Sequence, residues 1–185
     1  MNLFLILAPF ATFAALMVTS TIAASLAASA LVAAAALAWE YVQGRSTKAL
    51  TLGALAIFAA LFAYHTMANP ISSTSARLAL DGTLAAIALG SMAIRAPFTL
   101  QYAREKVDAE IQARPLFMQV NYILTGVWAS AFVIMLAADA LTLYLPELPV
   151  WTIAGIAFLA RNGATLFTQW YPKRIQAAQI AAKTA

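Results

Sequence analysis

Residues 3–39 contain no charged side chain, and Pro9 and the cluster Thr19-Ser20-Thr21 are the chief punctuation in that run. Drawn out as one helix, the stretch would be roughly 55 Å long at 1.5 Å per residue, far beyond a hydrocarbon core of ~30 Å. It must therefore fold back or lie partly in the interface. We read an apolar helix over 3–19, which crosses the bilayer or lies along it, and a complete span over 21–41.

The rest of the chain repeats this pattern. Apolar stretches at 49–68, 76–94, 116–143 and 150–171 are separated by Gly44-Arg45-Ser46, Asn69-Pro70 with Ser72-Ser73, a charged segment at 95–115, and Pro146-Glu147-Leu148-Pro149. These breaks have the chemistry of turns and loops, and Pro172 reads as the end of the last helix. Only 10% of the 185 residues are charged and 63% are hydrophobic, whereas a soluble domain is about a quarter charged. The expected fold is all-α: one polytopic transmembrane bundle of five to six membrane helices, with a cytoplasmic amphipathic connector helix. The opening residues lack the positive region of a secretory signal and read as a retained membrane segment.

Charge placement sets the expected orientation. Arg45, Lys48, Arg95, Arg104, Lys106, Arg114, Lys173, Arg174 and Lys183 fall on one side of the spans, and Arg77 alone falls on the other. That asymmetry places the charged segment and the C-terminus in the cytoplasm. Five spans put the start of the first helix outside; six put it inside. The net charge of +4 is explained by topology, so nucleic acid is not an expected partner. The absence of cysteine excludes disulfides and thiolate metal sites.

The segment RAPFTLQYAREKVDAEIQARP at 95–115 holds Arg95, Arg104, Glu105, Lys106, Asp108, Glu110 and Arg114. Leu100, Ala103, Val107 and Ile111 recur at spacings of three and four, which predicts one short amphipathic helix over 98–113. Arg104 with Asp108, Lys106 with Glu110, and Glu110 with Arg114 are potential i,i+4 pairs on its polar side. Two readings stand. The segment is a solvated connector whose charges keep it inside, or it is a docking surface for a cytoplasmic or membrane partner. Its mixed charge disfavours a polybasic lipid sensor.

The order of parts resembles the intracellular septation protein A family of bacterial inner-membrane proteins. The likeness rests on an early Ala8-Pro9-Phe10, the connector Arg95-Ala96-Pro97-Phe98 with Gln101, a span carrying Asn121, Trp128 and Phe132, and a last helix ending in aromatics, Pro172 and basic residues. The resemblance implies an inner-membrane protein of envelope synthesis and septation. It would work through contacts with other membrane proteins and without enzymatic activity; in our own reading of the residues, the charged connector is the contact surface.

Inside the spans, Arg161 is the costliest residue, at roughly 2.5–3.5 kcal/mol for insertion at mid-bilayer. It needs a partner, with Asp81 and Asp139 as candidates, although Arg77 is also positioned four residues before Asp81. The group is either a buried structural ion pair or an anion or proton path, and the latter makes a small transporter or channel the alternative function. Asn121 is expected to hydrogen-bond across helices. Gly82, Ala86 and Gly90 form a small-residue face for close helix packing, within the chain or in a homodimer. His65 is the only histidine and Glu40 lies among interface aromatics; both read as structural. No nucleotide-binding, metalloprotease or Ser/His/Asp pattern is present, so catalytic residues, cofactors and metals are not expected.

Overall fold

The structure, a computed structural model, describes residues 3–145 and 147–184. Pro146, read above as loop, lies outside them, as do Met1, Asn2 and Ala185. The described residues form helices joined by turns, with no strand among them. The longer helices are α1 (Leu3–Thr19), α2 (Ile22–Val42), α3 (Ala49–Met67), α4 (Ser73–Ala93), α7 (Pro115–Tyr144) and α8 (Val150–Thr184); the short α5 (Phe98–Ala103) and α6 (Ala109–Gln112) lie between α4 and α7. Of these, α2, α3, α4 and α7 are long and apolar enough to cross a membrane. The protein is thus all-helical and built to be embedded in a bilayer.

Local chemistry explains the helix boundaries. Thr21 caps α2 by accepting from the Ala24 N–H at 3.2 Å, Ser72 caps α4 by accepting from Ser75 N–H at 3.1 Å, and Pro115 opens α7 where its missing N–H costs nothing. Within α2, the fully buried Ser25 and Ser29 spend their hydroxyls on the carbonyls of Thr21 and Ser25 at 2.9 and 2.7 Å. They add no unpaired polar group to the apolar interior.

Helices α2 and α4 end in the same way. Gly44 has φ 64° and Arg95 has φ 58°. The N–H groups of Gly44 and Arg45 return to the Tyr41 and Glu40 carbonyls at 3.0 Å each, and those of Arg95 and Ala96 return to Met92 and Ser91 at 3.0 and 2.9 Å. These are paired Schellman ends, in which a left-handed residue consumes the orphan carbonyls. Arg95 does this without glycine's freedom, so its backbone has a structural task apart from its charge.

Packing follows chain order: α1 on α2, α2 on α3, α3 on α4, α4 on α7 and α7 on α8, with α5 seated on α7. One apolar centre surrounds Phe58, whose ring lies 5.3 Å from Phe10 and 5.7 Å from Phe13. The other gathers Leu84, Phe98, Trp128 and Phe132. Gly53 on α3 lies against the Ile87 side chain of α4, whose Cδ1 would have to move to admit an added Cβ.

Three expectations change. Pro172 does not end the last helix; α8 runs through it to Thr184. A proline removes one hydrogen bond, and the following Lys-Arg-Ile-Gln-Ala-Ala stretch has the propensity to continue the helix regardless. The connector is not one helix over 98–113. After α5 it tightens into a 3₁₀ turn at Arg104–Lys106, turns extended at Val107 (φ −133°, ψ 148°) and re-forms as α6. Gln112 holds the break, its Nε2 donating to the Val107 and Arg104 carbonyls at 2.8 and 3.1 Å. Finally, Ala86 and Gly90 face outward, while Gly82 is half-buried against Leu136 of α7, so only the Gly82 end of this small-residue face packs within the chain. The buried side of α4 is instead Ala76, Leu80, Asp81, Leu84, Ala85, Ala88 and Ser91.

Candidate functional site

The connector end of the bundle is organised around Lys48, the residue preceding α3. It is 3% exposed. Its ammonium donates to Glu105 at 2.6 Å and to the Ser46 carbonyl at 2.9 Å, and lies 3.6 Å from Glu40 Oε1. The Tyr102 ring sits 5.8 Å from the same nitrogen. Glu40 also accepts from the Thr51 hydroxyl at 3.2 Å. A buried cation is tolerable only when paired and hydrogen-bonded in this way. Burial, with the neighbouring Glu40 charge adding to it, pushes the Tyr102 phenol well above its ordinary range, so it stays neutral.

The same contacts pin the connector to the bundle. The Gln101 side chain accepts from the Ala49 N–H at 2.8 Å, capping α3 from a distance of 52 residues. The Phe98 N–H donates to Ser91 Oγ at 3.0 Å. The Thr99 hydroxyl donates to the Asn121 carbonyl at 2.9 Å and lies 2.8 Å from Thr125 Oγ1. Helix α5 is therefore buried, wedged between α3, α4 and α7.

This arrangement divides the seven charged residues of the segment. Glu105, although partly exposed, is committed to Lys48, whereas Arg95, Arg104, Lys106, Asp108, Glu110 and Arg114 stand exposed without any such buried partner. Of the three i,i+4 pairs expected on one helix, Glu110 with Arg114 forms, at 2.5 Å. Neither Arg104 with Asp108 nor Lys106 with Glu110 is paired, because the extended residues at 107 and 108 break the helical spacing.

At the opposite end, Arg77 Nε meets Asp139 Oδ1 at 2.9 Å across α4 and α7. Asp81, four residues after Arg77 on α4, is buried beside Asp139. Arg161 itself is half-buried and makes no ion pair among the described residues. The expected Arg161–aspartate pair is thus replaced by Arg77–Asp139, since Arg77 on α4 reaches the acid on the neighbouring helix. Asn121 is 1% exposed, but its Nδ2 bonds within its own helix to the Phe117 carbonyl at 2.8 Å, and its Oδ1 has no partner. His65 accepts from the Ile71 N–H at 3.1 Å and holds the α3–α4 turn.

Between these two charged regions lies a cavity of about 360 Å³. Leu84, Leu124, Trp128 and Phe132 wall it, Asn121 lies in its lining, and Lys106 and Gln169 stand at the connector end. Trp128 Nε1 is spent on Thr168 at 3.0 Å, which fixes the indole in the wall.

Sequence reasoning missed Lys48, Tyr102, Thr99 and Thr125. Glu40, read as an interface residue, is a ligand of Lys48. The one sequence signal was Gln101 in the connector motif. Compared with protein-family models, curated proteins and solved structures, the chain matches none.

Proposed function

We propose that this chain is a non-enzymatic, multi-pass protein of a bacterial inner membrane, acting in envelope synthesis or septation through contacts with other membrane proteins. In this reading α1 and the apolar first part of α8 join the four long apolar helices as crossings. At 17 residues α1 spans about 25 Å, close to the thickness of a hydrocarbon core. Six crossings put both termini in the cytoplasm, in keeping with the basic residues at the connector end.

The observation that carries the reading is the pinned connector. Lys48, Gln101 and Thr99 hold α5 against the bundle, while Arg104, Asp108, Glu110 and Arg114 stand outward on a short, well-supported segment. A preorganised surface loses little conformational entropy when a partner binds. A loop serving only as a solvated tether would need none of these buried bonds. The outward Ala86 and Gly90 add a lipid-facing strip on which a second copy could pack.

A photo-crosslinker at Asp108 in living membranes, with single cysteines reporting sidedness, tests this reading. Glu105 is unsuitable because it is committed to Lys48. Capture of a discrete envelope or division protein from the cytoplasmic side supports the proposal; capture of lipid alone sinks it. A second reading, a small transporter, draws on Asp81, Asp139 and Arg77 meeting in one half of the bundle. Arg161→Leu separates the two: a carrier keeps its fold and loses flux, whereas a scaffold keeps both its fold and its captured partner.

A further inference from the structure

We propose that the cavity lined by α1, α3, α4, α5, α7 and α8 binds a single-chain amphiphile: one alkyl chain bearing an anionic head and a hydroxyl or amide hydrogen-bond donor. This inference is independent of the scaffold reading above.

Size sets the first limit. The cavity measures about 360 Å³, and at ~30 Å³ for each water-sized group it holds on the order of twelve such groups. That is one medium-length chain and far too little for a two-chain phospholipid. Lining sets the second. Leu84, Leu124, Trp128 and Phe132 form apolar walls, and a cavity lined this way holds apolar matter in preference to water.

The polar features of the lining define the head. Asn121 is in the lining and 1% exposed, and its Oδ1 is an unspent acceptor. The Nδ2–Phe117 bond fixes which amide atom is left over. A buried acceptor without a partner costs about 1–3 kcal/mol, and a ligand hydroxyl or amide N–H would relieve it. Lys106 lines the connector end of the cavity and is exposed there, with no ion pair among the described residues. It matches an anionic head at the membrane surface.

Trp128 provides the readout. Trp39, Trp151 and Trp170 are at least half exposed, so replacing them with Phe leaves Trp128 as the sole fluorophore, buried in the cavity wall. The protein would be placed in nanodiscs of unbrominated lipid and titrated with a terminally brominated dodecanoic acid and its hydroxylated counterpart. A variant retaining only Trp39 reports simple partition into the bilayer. Saturable quenching of Trp128 at concentrations that leave Trp39 bright is expected. Ala103→Phe, which narrows the connector end, should abolish it, and Lys106→Glu should weaken it roughly tenfold. Asn121→Leu should erase the preference for the hydroxylated acid while leaving the plain acid unaffected. Three results would overturn the proposal: quenching that merely follows Trp39, quenching that persists in Ala103→Phe, or equal quenching by a brominated two-chain phospholipid.

Discussion

At the connector end Lys48 is enclosed by Glu40 and Glu105, and at the opposite end Arg77 meets Asp139 beside Asp81. Both groups place charge inside an apolar protein, yet they are built differently. The Lys48 side chain is 4% exposed, and its ammonium reaches three protein groups, one of them on the connector 57 residues away. The Arg77 side chain is 33% exposed and holds one acid on a neighbouring helix. The first group fixes a loop to the bundle, and the second ties two helices already packed along their length. The same kind of bond thus does different work according to what else holds its partners together.

If that contrast is correct, Lys48→Met should have the largest effect. It leaves Glu40 and Glu105 facing an apolar end without their cation, and breaking a buried pair from one side costs about 3–5 kcal/mol. Thermal unfolding in detergent should show a large loss. Adding Glu40→Gln and Glu105→Gln should recover part of it, since the uncompensated charges are then gone. A Lys48→Met protein as stable as the parent would mean that desolvation cancels the cluster's Coulomb energy, and the contrast would collapse.

Arg77→Leu comes next. It strands Asp139, which is 5% exposed at its side chain, but Arg77 is partly solvated and the helices stay packed. The expected loss is about 2–3 kcal/mol. The double change Arg77→Leu with Asp139→Asn should be milder than the single one. A loss from Arg77→Leu greater than that from Lys48→Met would reverse the ranking of the two ends.

Glu105→Gln sharpens the difference in kind rather than in size. Glu40 remains beside Lys48, so the global loss should be only about 1–2 kcal/mol. Hydrogen exchange should nevertheless rise in α5 and the 3₁₀ turn while α2 and α3 remain protected, because Glu105 is the connector's own tie. Uniform loosening of all helices would show that the tie is not local.

These two ends were unequally legible in the sequence. Helices α2, α3, α4 and α7 follow from apolar length and flanking caps, and Thr21 and Ser72 begin α2 and α4 within a few residues of the expected starts. The aspartates were visible because a charge inside an apolar run is conspicuous. Their cation is less legible, since insertion cost singles out Arg161, whereas the ion pair that forms with Asp139 comes from Arg77 on the neighbouring helix. The Lys48 cluster was hidden. Each member sits at a helix end, where charge is ordinary, and its pairing depends on a connector whose path no periodicity records. Leu100, Ala103, Val107 and Ile111 have helical spacing, but the extended backbone at Val107 and Asp108 overrides it. Pro172 misled in the opposite direction, because the good helix formers after it outweigh one missing hydrogen bond.

The smallest expected effect tests where the helices meet each other and where they meet lipid. Gly53 on α3 lies against the Ile87 side chain of α4, whereas Gly90 has nothing within 4 Å of an added Cβ. Gly53→Leu should separate α3 from α4 and lower the unfolding temperature, with overpacking of this kind costing about 1–3 kcal/mol. Gly90→Leu should leave the monomer unchanged or slightly more stable, because a helix-interior glycine is about 1 kcal/mol worse than a good helix former. Its consequence should appear only between copies: if Ala86 and Gly90 form a self-association strip, Gly90→Leu lowers the dimer fraction in crosslinking at unchanged monomer stability. An unchanged dimer fraction would remove α4 from any such contact and leave Gly90 as a lipid-facing residue alone.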